Sequence, residues 1–394
     1  MKYDFKNYID KTNTGSFKWN LMRLKGKNIE KGIIPFSVAD MEFKIAPQII
    51  KSLKDTLDKP HLGYTKPDEK YFKSIIKWFK KRHEFQIKKE WILISPGIVI
   101  ALFSAVRAYT KKGDGVIIMT PVYPPFYNSI SMNERKIIEN KLIFKNNRYE
   151  IDFKDLEEKA KDKNNKMLIL CSPHNPVGRV WSKEELIKIG KICLQNGIVV
   201  VSDEIHCDLI MKDYKHTVFS SISKEFADIS VTCTAPSKSF NIAGLQASNL
   251  IIKNKKLREK FSNELKKQGL TGLNSFAYIA TKTAYNKCED WLNDAIEIIG
   301  KNEKKVHRFF KKYIPQISAC KLEGTYLMWI NLRNLNLSEE EIENILINKA
   351  QIFANKGLMF GKNGEGFIRL NIACPTRDLK KALRRLKTAL ENII

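Results

Sequence analysis

The chain has 394 residues, 43% of them hydrophobic and 10% aromatic, the make-up of a folded protein of two or three domains rather than of a disordered or fibrous chain. Lys and Arg number 69 against 43 Asp and Glu, a formal charge of +26, but the lysines are spread along helical faces, with no basic arm and no nucleic-acid-binding motif. No apolar run approaches the ~18 residues of a membrane span, and the first residues lack the apolar core of a signal peptide, so a cytoplasmic protein without membrane or nucleic-acid partners is expected.

Residues 1–45 carry little regular pattern, apart from a short extended segment at 35–41. Pro47 opens an amphipathic helix to about residue 57. His61-Leu62-Gly63-Tyr64-Thr65 is a turn-rich connector, and Pro67 starts a second helix to about His83, with Phe72, Ile75, Ile76 and Phe79 on one face. A strand at 91–94, the turn Ser95-Pro96-Gly97 and a helix at 98–109 follow. The next strands are 116–119, ended by Thr120-Pro121-Val122-Tyr123-Pro124-Pro125, and 167–171, ended by Ser172-Pro173-His174-Asn175-Pro176-Val177-Gly178. A helix at 183–195 stops at Asn196-Gly197. Strands at 198–203, 230–233 and 248–252 complete a run of continuous apolar segments alternating with helices, the pattern of a mostly parallel sheet covered on both faces. Beyond residue 252 the pattern changes. Helical stretches at 257–267 and 275–313, a strand at 326–332, a helix at 338–350, a strand at 366–372 and a basic helix from 377 to about Asn392 read as a smaller α+β domain.

The seven cysteines, Cys171, Cys193, Cys207, Cys233, Cys288, Cys320 and Cys374, include no Cys-x-x-Cys, and four lie in or beside strands. Buried thiols in a reducing compartment are expected.

In parallel α/β sheets, ligands bind beyond the carboxyl ends of the strands, and the chemically suggestive residues fall there. Gly97 begins a helix straight after a strand, so the free amides of Ile98 and Val99 can hold a phosphate. Tyr123 can offer its ring to a flat ligand or merely pack. Asn175 follows the third strand. Asp203 ends the most apolar one, where a buried carboxylate needs a cation or donor, unless it only caps a helix. Lys238 follows the strand at 229–231 and Pro236, which bars regular pairing; an amine there can be desolvated to act as a nucleophile. Asn, Asp and Lys at three successive strand ends match the needs of pyridoxal 5'-phosphate (PLP). Its aldehyde takes a lysine, its ring nitrogen a carboxylate, its phenolic oxygen a donor, and its phosphate amides and a hydroxyl such as that of Ser237.

Ser172-Pro173-His174-Asn175-Pro176-Val177-Gly178, Ser202-Asp203-Glu204-Ile205-His206 and Ala235-Pro236-Ser237-Lys238-Ser239-Phe240-Asn241-Ile242-Ala243-Gly244-Leu245 resemble the aminotransferase class I/II fold (PLP fold type I). Within it they most resemble the MalY/PatB branch of cystathionine β-lyases (C–S lyases). The resemblance runs from Val38-Ala39-Asp40-Met41 to Phe367-Ile368-Arg369-Leu370-Asn371-Ile372-Ala373-Cys374-Pro375. It implies an α/β protein with a large PLP-binding domain, 49–285, on a mostly parallel seven-stranded sheet between helices. A small α+β domain, 286–394, is joined by the N-terminal segment 1–48.

The resemblance also implies roles. Lys238 would condense with the cofactor aldehyde and shuttle the α-proton. Asp203 would pair with the ring nitrogen, and Asn175 would bond the phenolic oxygen and adjoin the substrate. Tyr123 would stack on the ring, and His206 would belong to the cofactor pocket. Ile98, Val99 and Ser237 would hold the phosphate. Arg369 would clamp the substrate carboxylate with the backbone around Ala39. Tyr64 would reach the phosphate of the neighbouring subunit, making a homodimer with shared sites, and with Lys238 and Tyr123 it would complete the catalytic set. His206 stands where many relatives have tyrosine, Gln246 where many have a phosphate-binding arginine, Ala235 where some have a hydroxyl, and Lys356 where proline is frequent.

The implied reaction is α,β-elimination from an amino acid with a β-sulfur leaving group, giving a thiol, pyruvate and ammonia. L-cystathionine, cystine and cysteine are the candidate substrates. The rivals are an aminotransferase using the same residues and, from the charge, a regulatory or nucleic-acid-binding protein on this scaffold. Cys171, His174, His206 and Cys207 fall near the same strand ends but show no zinc spacing, so no metal is expected.

Overall fold

The computed structural model describes residues 2–59 and 62–391. Short apolar runs become the central strands: β1 (Ile92–Ser95), β2 (Gly115–Thr120), β3 (Lys136–Lys141), β4 (Ile143–Lys145), β5 (Arg148–Glu150), β6 (Asn165–Cys171), β7 (Val199–Asp203), β8 (Ser230–Thr234) and β9 (Ser248–Ile251). Among the described residues, seven form one sheet in the order β1-β9-β8-β7-β6-β2-β3, while β4 and β5 make a hairpin. Within that sheet β9 runs against both its neighbours, and the remaining pairings are parallel. All of β2, β8 and β9 is buried, as a sheet with helices on both faces requires. Register sets the site: Cys171 pairs with Asp203, and Asp203 with Cys233. The carboxyl ends of β6, β7 and β8 are therefore level, and the segments bearing Asn175, Asp203 and Lys238 leave the sheet along one crest.

The second sheet is antiparallel. β10 (Ser318–Ala319), β11 (Leu327–Asn331), β12 (Asn355–Lys356) and β13 (Phe367–Asn371) lie in the order β10-β11-β13-β12. Phe5, Trp19, Met22, Ile34 and Phe36 of the N-terminal segment share one apolar cluster with Leu327, Met328, Ile368 and Leu370. All seven cysteines are free and buried.

Several elements depart from the sequence-based expectation. The second helix starts at Glu69 rather than Pro67, because Asp68 caps it, accepting from the Tyr71 amide at 2.7 Å. The stretch 275–313 is two helices, Ser275–Lys287 and Glu289–Tyr313, broken at Cys288; Glu289 and Asp290 favour the new N-terminus electrostatically. The stretch 338–350 is α-helical only over Glu339–Asn344 and widens to a π-helix over Ile345–Lys349. A helix at Phe17–Lys25 was not expected, because its buried face includes Lys18 beside Trp19 and Met22 and so blurs the apolar period. Segment 35–41 is no strand: Val38 sits in the left-handed region at φ 52°, which a β-branched side chain resists. The last helix is Thr376–Leu390; its expected end at Asn392, like His61, lies outside the described residues.

Candidate active site

The crest opens on a cavity of about 280 Å³ whose walls include Ala39, Ile98, Val99, Tyr123, Asn175, Asp203, His206, Ser237 and Lys238. Arg369 stands directly behind Asn175, its Nη1 donating to Asn175 Oδ1 at 2.9 Å. Tyr64 is fully exposed on the surface and does not line the cavity of its own chain.

Lys238 sits in a one-turn helix, Pro236–Ser239, and not on the strand end itself; Pro236 opens that turn. The next residue anchors it, Ser239 Oγ donating to the buried Asp208 at 2.7 Å. Asp208 also accepts from Trp78 Nε1 at 3.0 Å and lies 2.8 Å from His83 Nε2. Lys238 Nζ donates to the Ala39 carbonyl at 2.7 Å. Loss of hydration pushes its amine below the ordinary lysine range, although Asp40 and Asp203 oppose that shift.

Asp203 closes β7 and is buried, with one local contact, its Oδ1 accepting from the Ile205 amide at 3.2 Å. Burial drives its carboxyl up from 3.8 to about 7. The local bond is the cap-like contact anticipated as the alternative reading, but it leaves the charge without a cation in contact. His206 is equally buried, edge-on to Tyr326 with ring centres 5.8 Å apart. Burial first, then Lys238 and Arg369, lower it to about 3, so it is neutral, and its Nδ1 is buried without a partner.

Arg369 lies mid-strand in β13, opposite Trp329 and Asn355. Its Nη2 donates to Asn355 Oδ1 at 2.8 Å, and its guanidinium stands 4.7 Å from the centre of the Phe360 ring. Nε is buried and unpartnered. A buried guanidinium with a donor to spare, held flat by two asparagines and an aromatic ring, is prepared for a carboxylate.

The loop around Ala39 is fastened from all sides. The Val38 amide donates to Asn355 Oδ1 at 3.0 Å, so one asparagine holds both this loop and the Arg369 guanidinium. Asn371 Nδ2 donates to the carbonyls of Val38 at 2.7 Å and Asp40 at 2.8 Å. The Met41 amide donates to Asn241 Oδ1 at 2.9 Å. Lys18 Nζ donates to the Asp40 carbonyl at 2.9 Å and pairs with the buried Glu42 at 2.9 Å. Tyr326 Oη donates to the Ala39 carbonyl at 2.8 Å. These contacts offset the strain at Val38, which costs roughly 1–3 kcal/mol. Asn355, Tyr326 and Lys18 escaped the sequence reading. Asn371 had a signal, being a polar residue that ends an apolar strand; Asn355 had none.

At the opposite wall Gly97 takes φ 95° and caps the helix Ile98–Tyr109, leaving the Ile98 and Val99 amides at a helix N-terminus suited to an anion. Ser237 Oγ donates to the Ala247 carbonyl at 3.3 Å and lines the cavity, as does Gln246. Tyr123 precedes the helix Pro124–Ser131; burial and then Asp203 raise its phenol.

The residues fit PLP: a desolvated lysine, a buried acid lacking a cation, an amide beside it, a helix N-terminus, and two buried polar atoms, Arg369 Nε and His206 Nδ1, unpartnered. The strand-end thiols and imidazoles do not form a metal set. His174 Nε2 lies 2.9 Å from the Pro121 carbonyl, and Cys171 Sγ from that of Pro173 at 3.4 Å. His83, Cys207 and Asp208 do group within 4.8 Å, but Asp208 is already bonded by three side chains and lies 3.5 Å from Arg82 Nε, a cation that disfavours a second one.

The aminotransferase class I and II family model matches residues 31–386. The cystathionine beta-lyase PatB of Bacillus subtilis is 45% identical over 91% of this chain and 92% of its own length. The protein MalY of Escherichia coli is 30% identical over 99% of this chain and 100% of its own. The crystal structure of cystalysin from Treponema denticola, which contains a pyridoxal 5'-phosphate cofactor, superposes with a TM-score of 0.97 at 48% identity, covering 100% of both chains.

Proposed function

The chain belongs to the aminotransferase class I and II family, and from that premise we propose that it is a PLP-dependent carbon–sulfur lyase acting on L-cystathionine or a related β-thio amino acid. The observation that carries this reading is the convergence of Lys238, Asp203 and Asn175 on one cavity, with Arg369 bonded behind Asn175, in a chain like PatB along nearly all its length.

When bound, PLP supplies an electron sink for the pair released at the substrate Cα. Arg369 binds the α-carboxylate through its fork, beside the backbone of Ala39. Lys238 Nζ takes the α-proton and returns a proton to the departing sulfur. Asp203 would be held ionised beside a cationic ring nitrogen and would keep the sink charged. Asn175 would donate to the phenolic oxygen while its own carbonyl steadies Arg369, with the neutral imidazole of His206 beside it. Tyr123 would stack on the ring, and the Ile98 and Val99 amides and Ser237 would hold the phosphate. Hydrolysis of the three-carbon product then gives pyruvate and ammonia.

The fully exposed Tyr64, with Leu57, Leu62 and Val99 also exposed, supports a homodimer in which Tyr64 completes the neighbouring site. Seven buried free thiols support a cytoplasmic setting; no described helix is long and apolar enough to cross a membrane. A role in methionine biosynthesis follows from cystathionine as substrate. The division into 1–48, 49–285 and 286–394 is supported by the two separate sheets and by the N-terminal packing on the second.

The test is incubation of the holoenzyme with cystathionine, cystine and cysteine without any keto acid. Steady release of pyruvate and thiol supports the lyase. Strict dependence on an added keto acid replaces it with an aminotransferase. Lys238→Ala is expected to remove both the cofactor's visible absorbance and turnover.

A further inference from the structure

We propose that the Ala39 carbonyl and the Asp40 carboxylate form a receptor for the Lys238 ammonium whenever this lysine is not joined to the cofactor, making Asp40 a positioning residue for the proton that Lys238 carries. The inference rests on Lys238 as the proton-carrying group of the proposed reaction and is independent of the choice of substrate.

The geometry is direct. Lys238 Nζ lies 2.7 Å from the Ala39 carbonyl and 4.0 Å from Asp40 Oδ1. The receptor is stiff. Asn371, Lys18, Asn241 and Asn355 hold the backbone from Val38 to Met41, and Tyr326 Oη fixes the second lone pair of the Ala39 carbonyl. A carbonyl aimed by that many contacts, through a residue at φ 52°, is not incidental loop structure.

The charges facing Nζ come from every side of the cavity. Asp40 on the loop and Asp203 at the end of β7 favour the ammonium, while Arg369 on β13 and Lys18 on the N-terminal helix oppose it. The phenols of Tyr123 and Tyr326 and the neutral imidazole of His206 complete the surroundings. Asp203 would be committed to the ring nitrogen when the cofactor is bound, and Glu42 already pairs with Lys18, so Asp40 is the anion left beside Lys238. Lys238 must take a proton as the Cα–H bond breaks, the electron pair passing to the bound sink. It must then keep that proton until the C–S bond breaks and the sulfur accepts it. An amine pressed by burial, Arg369 and Lys18 alone would shed the proton early; Asp40 and the Ala39 carbonyl retain it between the two transfers.

The test separates this role from general damage to the fold. Cofactor-free enzyme is mixed with PLP at a series of pH values, and the rate of covalent capture, which requires the unprotonated amine, is followed by absorbance. Asp40→Asn is expected to lower the midpoint of that profile by about one pH unit, making capture about tenfold faster below the wild-type midpoint. Asp40→Glu should restore the midpoint. In the refilled enzymes, Asp40→Asn should lower kcat about tenfold with KM nearly unchanged. A wild-type capture profile in both Asp40→Asn and Asp40→Ala overturns the proposal, as does an effect confined to KM. Because capture involves no amino-acid substrate, that failure is distinct from absence of pyruvate release, which would instead remove the lyase reading.

Discussion

Asp203 is arranged for a bound cation at a cost to the protein without one. Its carboxyl is driven from 3.8 to about 7 by burial, with Glu204 adding to the rise and the Ile205 amide opposing it. For an acid whose folded value is raised, folding favours the protonated form, so the penalty is absent below the unfolded value. It grows as pH rises and is complete above about 7. That displacement corresponds to a destabilisation of about 4 kcal/mol at high pH. Asp203→Asn removes the titrating charge while keeping an oxygen for the Ile205 amide. The cofactor-free variant should therefore gain stability over cofactor-free wild type by ~3 kcal/mol between about pH 5 and about pH 8. Denaturant unfolding of both proteins across that range measures the difference. On the proposed role of Asp203 opposite the ring nitrogen, the holo variant should lose cofactor affinity and turnover. A stability difference that is flat, or that falls with pH, would show that Asp203 is not a strained buried acid and refute the reasoning.

Asn355 should matter without touching substrate, because its Oδ1 accepts from both Arg369 Nη2 and the Val38 amide. Asn355→Ala is expected to raise KM about tenfold or more, with a loss of about 1–3 kcal/mol; an unchanged KM in steady-state kinetics would contradict the shared anchor. Lys18→Met should destabilise the fold by ~3 kcal/mol, since it strips the buried Glu42 of its nearest cation while leaving Lys11 at 3.4 Å and Trp19 Nε1 at 3.2 Å. A change under about 1 kcal/mol in equilibrium unfolding would exclude that role. Tyr64→Ala and Lys238→Ala should each be inactive alone, yet mixing them through unfolding and refolding should restore about a quarter of wild-type turnover, because each hybrid dimer holds one intact site. No recovery, with hybrids demonstrated by mass, would place Tyr64 outside the partner's site.

Local rules carried much of this protein into view. Continuous apolar strands, helix caps and the Gly97 turn depend on neighbours within a few residues, and they located β1, β2 and β6 to β9 to within two residues at each end. The same locality exposed Asn175, Asp203 and Lys238, since strand ends in such a sheet are level by construction. The sequence was misleading where the deciding contact is distant. Lys18 spoils an amphipathic pattern because its partners, Glu42 and the Asp40 carbonyl, lie on another segment. Val38 reads as strand, yet Asn355 and Asn371, 317 and 333 residues away, hold it in a left-handed turn. Lys238 reads as one lysine among many, and the Ala39 carbonyl it meets is 199 residues distant. By itself, then, the amino-acid order placed Asn175, Asp203 and Lys238 at neighbouring strand ends of one cavity. Tertiary structure alone decided how Ala39, Asp40, Asn355 and Tyr326 close around them, because a loop with no periodicity takes its shape only from the side chains that fasten it.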